Sequence, residues 1–217
     1  MSNVFVIGAA GKIGTRLVRK LVVRGHRVGA LHRKREQEDT LSAIGATPIF
    51  GSLQIIDARS LANIIAGCDV VVFTAGAGGA GIEQTNAIDG RGLETAVDAA
   101  KLAGVRRFIL VSAFPEAWRE KDNSKGFENY IAVKKLADAY LADTELDWVI
   151  LRPGTLSDEP GTGMIKANAA LPYGNVTRDD VAETLVALIE EQGVRRSIVE
   201  LTNGDETIAD AIGKMRR

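Results

Sequence analysis

One cysteine and two histidines are all that 217 residues contain of these types. A lone thiol, Cys68, excludes an internal disulfide framework and a cysteine-rich metal site, and reads as a small, half-buried residue. With His26 and His32 alone, a zinc centre or a histidine-dependent triad has little to work with. No charge of one sign dominates. The net charge of -1 and pI near 6.2 argue against a chain built to grip nucleic acid or an anionic membrane. No apolar run reaches the length of a membrane span. Met1-Ser2-Asn3 leads directly into an apolar run without a signal-peptide pattern, so a cytoplasmic location is expected. Linkers, repeats and low-complexity tracts are missing as well, and a single domain over residues 1–217 is the simplest expectation. What is present, 46% hydrophobic and 25% charged residues, suits a soluble chain long enough to bury its own core.

Short apolar runs alternate with longer amphipathic ones. Strands are expected at Val4–Gly8, Arg27–Leu31, Thr47–Phe50, Val70–Thr74, Arg107–Ser112, Trp148–Arg152 and Ile198–Leu201. Most are continuous runs rich in Val and Ile, as strands covered on both faces must be. Helices are expected at Lys12–Arg24, Gln37–Ile44, Ala58–Ile65, Gln84–Ala103, Phe127–Asp143 and Arg178–Glu191. Gly25 and Gly104 stand where C-terminal caps belong, and Thr177 with Asp180 resembles a capping box with Asp in place of Glu. Strand and helix in alternation predict an α/β fold: a doubly wound, mostly parallel sheet with helices on both faces.

Residues 6 to 14 read VIGAAGKIG. Gly8, Gly11 and Gly14 follow a strand and open a helix, the context in which such spacing is informative. Gly8 permits the sharp turn, Gly11 a close approach to a pyrophosphate, and Gly14 the packing of helix on sheet. The N–H groups near Lys12 and Ile13 would face phosphates at the positive end of the helix dipole. The spacing is wrong for a Walker-type loop. The second strand ends in Leu31-His32-Arg33-Lys34-Arg35, where a site preferring NAD would place Asp or Glu. A basic residue there suits the 2′-phosphate of NADP, with Arg33 as main partner and His32 or Lys34 assisting. Ser52 and Leu53, after the third strand, are candidate adenine contacts. Ala75 and Gly76, after the fourth, would let backbone lie against the cofactor.

The fifth strand ends at Ser112, and Tyr130 and Lys134 stand four apart on one helix face. Reduction of a carbonyl needs a proton donor beside the hydride acceptor. A tyrosine serves if a nearby ammonium lowers its pKa, and a serine hydroxyl can polarise the carbonyl. Lys134 could also hold the nicotinamide ribose.

These motifs together resemble the atypical short-chain dehydrogenases/reductases, in particular the small NAD(P)H-binding subgroup related to biliverdin reductase B/flavin reductase and NmrA-like proteins. The resemblance runs through Gly8–Gly14, His32-Arg33, Gly51-Ser52-Leu53, Asp89-Gly90, Gly104–Ser112, Tyr130–Lys134, Leu151-Arg152-Pro153-Gly154 and Thr177–Ala182, nearly the whole chain. It implies a Rossmann-type fold and NADP as cofactor, with Ser112, Tyr130 and Lys134 matching the catalytic residues. It places Pro153 through Thr155 near the nicotinamide. Asp89 stands where larger members carry an active-site Asn.

The expected substrate wall is Ala113–Lys121, with its aromatic pair Phe114 and Trp118, and Pro160–Met164. The leading expectation is an NADP-dependent oxidoreductase acting on a small carbonyl, quinone or flavin-like substrate. A non-catalytic NADP(H) sensor and a sugar epimerase/dehydratase-like protein are the alternatives. The C-terminal part is short for a sugar-binding domain. The chain would be a monomer or a homodimer, with neither nucleic acid nor membrane as partner.

Overall fold

The computed structural model describes residues 1–117 and 124–216. The first half alternates strictly: β1 (Asn3–Ile7), α1 (Lys12–Val23), β2 (Arg27–His32), α2 (Glu38–Ile44), β3 (Thr47–Phe50), α3 (Ala58–Ile65) and β4 (Val70–Phe73). A helical run over residues 82–103 follows, made of α4 (Ile82–Thr85), a π-turn (Asn86–Arg91) and α5 (Gly92–Ala103). Then come β5 (Arg107–Val111), α6 (Lys125–Ala142) and β6 (Asp147–Pro153). The C-terminal part holds β7 (Thr155–Ser157), β8 (Met164–Asn168), β9 (Asn175–Thr177), α7 (Arg178–Glu190), β10 (Ser197–Asn203), β11 (Glu206–Thr207) and α8 (Ile208–Gly213).

Nine strands form one sheet in the order β11-β8-β10-β6-β5-β4-β1-β2-β3, and β7 pairs with β9 in a small parallel ladder beside it. From β3 across to β10 all neighbours are parallel; β8 joins antiparallel to both β10 and β11. The chain therefore reverses its direction of winding between β1 and β4, and a crevice opens at their carboxyl ends. This is the expected Rossmann-type sheet.

Alternate residues of each strand enter opposite layers. Val4 and Val6 of β1 pack with Leu17, Val18 and Leu21 of α1 and with Leu185 and Val186 of α7. Phe5 and Ile7 pack on the other face with α3, α5 and α6, through Leu61, Ile65, Leu93, Val97 and Leu141. Burial on both faces is why these strands show no polar alternation. Phe5, Phe73 and Phe108 are fully buried, and each such side chain contributes roughly 1.5–3 kcal/mol.

Helix ends follow the sequence signals. Gly104 has φ +72° and caps α5, its N–H reaching Lys101 O at 3.2 Å. Ser124 caps α6 through Phe127 N, so that helix starts two residues earlier than expected. Thr177 Oγ1 accepts Asp180 N at 2.9 Å, but Asp180 does not close a capping box. Its carboxylate instead accepts the N–H groups of Thr162 at 3.0 Å and Gly163 at 2.8 Å, fastening the loop before β8. The buried Arg107 donates to Leu188 O and Val194 O, both at 2.6 Å, and so satisfies one carbonyl in the last turn of α7 and one in the segment that follows it. Among the described residues, no helix is long and apolar enough to cross a membrane.

Candidate active site

The crevice at the β1/β4 switch is a cleft of about 970 Å³. One end is built by the glycine turn. Gly8 has φ +85°, and a Cβ there would lie 2.6 Å from Ala75 N. Only a glycine lets the turn after β1 pass so close to the chain leaving β4. Thr74 secures that contact, with Oγ1 donating to Ile7 O at 3.0 Å. A Cβ on Gly14 would meet Gly8 O at 2.2 Å, so this residue closes helix onto turn and sits behind the cleft wall. Gly11, Lys12 and Ile13 line the wall. Gly11 is the N-cap of α1, without a capping side chain and without an acidic residue in the first turn. The first N–H groups of a twelve-residue helix thus face the cleft with their dipole uncompensated, a cradle that fits an anionic phosphate.

At the β2 end, His32 and Arg33 both line the cleft. His32 is buried; Nδ1 lies 3.0 Å from Lys34 O, and Nε2 has no hydrogen-bond partner among the described residues. Lys34 pairs with Glu36 at 3.7 Å and Arg35 stacks over Phe50 at 4.8 Å. Neither lines the cleft. Arg33 is exposed and, among the described residues, forms no ion pair, so it is the cation of this loop left for a ligand. Ser52, Leu53, Ala75 and Gly76 complete this half of the wall.

At the other end stand Ser112, Tyr130 and Lys134 with Asp89. The end of β5, the π-turn and one face of α6 bring them together. Lys134 Nζ donates to Val111 O at 2.9 Å and lies 3.5 Å from Asp89 Oδ1. Asp89 Oδ2 accepts Ala77 N at 2.9 Å. One buried carboxylate therefore ties the glycine loop after β4 to the lysine of α6. Asp89 reaches that position from the π-turn, a bulge of the kind found at functional sites. Burial pushes the Tyr130 hydroxyl above the ordinary tyrosine pKa and outweighs the Lys134 ammonium, which acts in the opposite sense. This is the reverse of the lowering by the ammonium that the sequence led us to expect. Burial is the largest effect, and the Asp89 carboxylate beside Lys134 adds to it. A tyrosine in this state keeps its proton and can donate it.

Pro153, at the end of β6, lines the cleft; Thr155 does not. The Thr155 hydroxyl is engaged with Tyr173 Oη at 2.8 Å, in β7 just outside the wall. Of the two expected substrate loops, the described parts do not line the cleft. Phe114 and Ala117 are buried against Ile131, while Trp118–Lys121 lie outside the described residues. Residues 160–164 are drawn to Asp180 and stay away from the cleft.

Three participants escaped sequence reasoning. Arg178 lines the cleft and pairs at 3.0 Å with Asp158, which also holds Lys12 at 2.7 Å and Arg16 at 3.5 Å. Those cations, led by the Lys12 hydrogen bond, hold the Asp158 carboxyl below its usual range. Asp138 lies on the sheet face shared by Ser112 and Arg152, bound by Arg152 Nε at 2.9 Å. Its signal was present in the spacing: positions 130, 134 and 138 share one face of α6.

The sequence model of the NAD(P)H-binding family matches residues 8–192. YhfK of Bacillus subtilis (strain 168), described as an uncharacterized sugar epimerase, is 40% identical over 215 residues, covering 98% of this chain and 100% of its own. The structure of a candidate NAD-dependent epimerase/dehydratase from Bacillus halodurans superposes with a TM-score of 0.89 at 31% identity, over 99% of this chain and 100% of that one. ChuY, an anaerobillin reductase from Escherichia coli O157:H7, gives a TM-score of 0.79 at 25% identity, over 95% and 99% of the two chains. A glycine turn joined to a free helix N-terminus, in a matching fold and over a matching sequence, makes this chain a member of the NAD(P)H-binding family, with oxidoreductase- and epimerase-like relatives.

Proposed function

We propose that the protein is an NADP-dependent oxidoreductase of the short-chain dehydrogenase type that reduces a small carbonyl, quinone or flavin-like substrate. The observation that carries this reading is the placing of Tyr130, Ser112 and a carboxylate-clamped Lys134 in the cleft whose far end holds the glycine cradle and Arg33.

The N–H groups of α1 and the backbone at Ala75 and Gly76 would hold the dinucleotide. Arg33 would take the 2′-phosphate, with the unpartnered His32 Nε2 beside it. When bound, the nicotinamide supplies the hydride. Tyr130 donates the proton, which its raised pKa keeps on the hydroxyl at neutral pH. Lys134 holds the ribose side of the site with the donor capacity left by Val111 O and Asp89. Ser112 gives the substrate a hydrogen-bonding partner, and Pro153 and Leu156 supply apolar wall. Substrate and cofactor therefore meet within one unit of chain, which we take to be a single domain.

A second reading is supported by the relatives' names: a sugar epimerase would use the same tyrosine and return its cofactor unchanged. Net oxidation of NADPH separates the two. Stoichiometric loss of NADPH absorbance with a quinone, flavin or aldehyde acceptor supports the reductase. Tight binding without loss on any acceptor, with interconversion of a nucleotide sugar, would replace it.

A further inference from the structure

Tyr130 and Lys134 have roles in the reading above; Asp138, on the same face of α6, has none. It is a buried carboxylate held with some care. Arg152 of β6 places both Nε and Nη2 at 2.9 Å from Asp138 Oδ2. Arg152 Nη1 lies 3.8 Å from Glu200 Oε1 on β10, and Glu200 Oε2 accepts Leu171 N at 2.7 Å. One edge of the Asp138 carboxylate is thus fixed from across the sheet. The other oxygen, Oδ1, is buried and has no hydrogen-bond partner among the described residues. The same is true of Ser112 Oγ. These two groups are neighbours: Val111 pairs with Leu151 and Ser112 N donates to Leu151 O, so the next residues, Ser112 and Arg152, share the sheet face on which Arg152 holds Asp138. Burial raises the Asp138 carboxyl above the usual carboxylate range, while Ser112 and Arg152 act in the opposite sense and favour its ionised form. An ionised carboxylate can only accept, whereas a serine hydroxyl carries one proton and two lone pairs. Two unpaired buried groups of opposite need, side by side, have one economical arrangement.

We propose that Asp138 is a positioning residue for Ser112: its Oδ1 accepts the serine hydroxyl proton and turns the lone pairs of Oγ toward the cleft. Ser112 then meets a bound molecule as an acceptor, and Tyr130 is the hydroxyl that donates. This reverses the role that sequence reasoning gave the serine. Arg152 and Glu200 set the angle of the carboxylate, and the Leu171 bond ties that setting to the loop carrying Tyr173, which packs edge-on to Phe114 at 5.3 Å.

The kinetic consequence rests on the reductase reading; the hydrogen bond does not, so two measurements are paired. The first is a carboxyl-carbon NMR titration of the full chain as wild type and Ser112→Ala. The groups facing Asp138 are Arg152 from β6, Lys134 and Tyr130 from its own helix, and Ser112 after β5, with Glu200 acting through Arg152. All but Ser112 are common to both proteins. Loss of a donor to the charged form should raise the Asp138 midpoint by about half to one pH unit. An unchanged midpoint overturns the proposal. The second compares Asp138→Asn, Ser112→Ala and the double variant in NADPH oxidation with a quinone acceptor, alongside NADPH affinity. Asparagine turned to accept from Arg152 presents its NH2 to Ser112 and reverses the serine. We expect kcat to fall about tenfold with NADPH affinity unchanged, and less than about twofold further loss when Asp138→Asn is added to Ser112→Ala. Losses that multiply would mark Asp138 as merely structural. A wild type that turns over no acceptor counts against the reductase reading alone, and the titration then decides.

Discussion

Arg33→Glu puts the cofactor assignment under the most direct strain. Arg33 is exposed, and its charge is not balanced by any carboxylate among the described residues. Its removal should leave stability within about 0.5 kcal/mol, as for most surface positions. Its worth should show only when a 2′-phosphate is present. A hydrogen bond to a charged group contributes about 1.5–3 kcal/mol, and solvent screening at this exposed site favours the lower half of that range. Charge reversal adds repulsion of about 1 kcal/mol at 4 Å in water. The sum, about 2.5–3.3 kcal/mol, corresponds to NADPH binding weakened about 70- to 250-fold. NADH lacks the phosphate and should change by less than about threefold. Fluorescence titration of both cofactors with both proteins measures the four constants. Raising the salt from low to several hundred millimolar should compress the discrimination, since the site is open to solvent. Equal weakening of NADPH and NADH, or no change in either, would refute the assignment of Arg33.

Tyr130→Phe should lower turnover at least about a hundredfold and leave NADPH affinity within about twofold, the pattern of a lost proton donor. The raised Tyr130 pKa means the donor form persists through neutral pH, so wild-type kcat should decline only above the ordinary tyrosine range; a tyrosine limb near pH 7 would contradict the burial argument. Arg107→Met leaves the carbonyls of Leu188 and Val194 without their donor inside the protein, and should cost about 3 kcal/mol, read as a fall in Tm of roughly 6–12 °C by calorimetry. A drop of a degree or less would show that water or a local shift serves α7 as well. Gly14→Ala sets a methyl 2.2 Å from Gly8 O, with backbone on both sides, and should destabilise by about 3 kcal/mol or more. A well-folded Gly14→Ala protein with normal cofactor affinity would mean the turn can open without cost.

The sheet was legible because its strands announce themselves. Val70–Phe73 and, after the buried Arg107, Phe108–Val111 are buried along their whole length, and such stretches must read as unbroken apolar runs. The glycine turn was legible for the same kind of reason, since close approach at Gly8 and Gly14 admits no other residue. The C-terminal additions were not. β7 and β9 have three residues each and β11 has two, too few for a period to show. α8 left a usable sign, Thr207 accepting Asp210 N as cap, that periodicity alone overlooks. In the site, Tyr130 and Lys134 were found because they lie on one helix face. Asp138 lies on that face too, but what gives it interest is Arg152 from the next strand and Ser112 from the strand before, and such a meeting is tertiary. The same holds for Asp158, whose three cations come from Lys12, Arg16 and Arg178 on two separate helices. The salience of Pro160–Met164 as a turn-rich loop misled, because the buried carboxylate of Asp180 uses its backbone N–H groups.

Titration of the purified protein with NADPH and NADH, followed by NADPH oxidation against flavins, quinones and small aldehydes, addresses cofactor choice and chemistry together. NADPH should bind at least about tenfold more tightly than NADH and be consumed stoichiometrically with at least one acceptor. Equal affinity for both cofactors, or tight NADPH binding with no consumption on any acceptor, would contradict the proposed function.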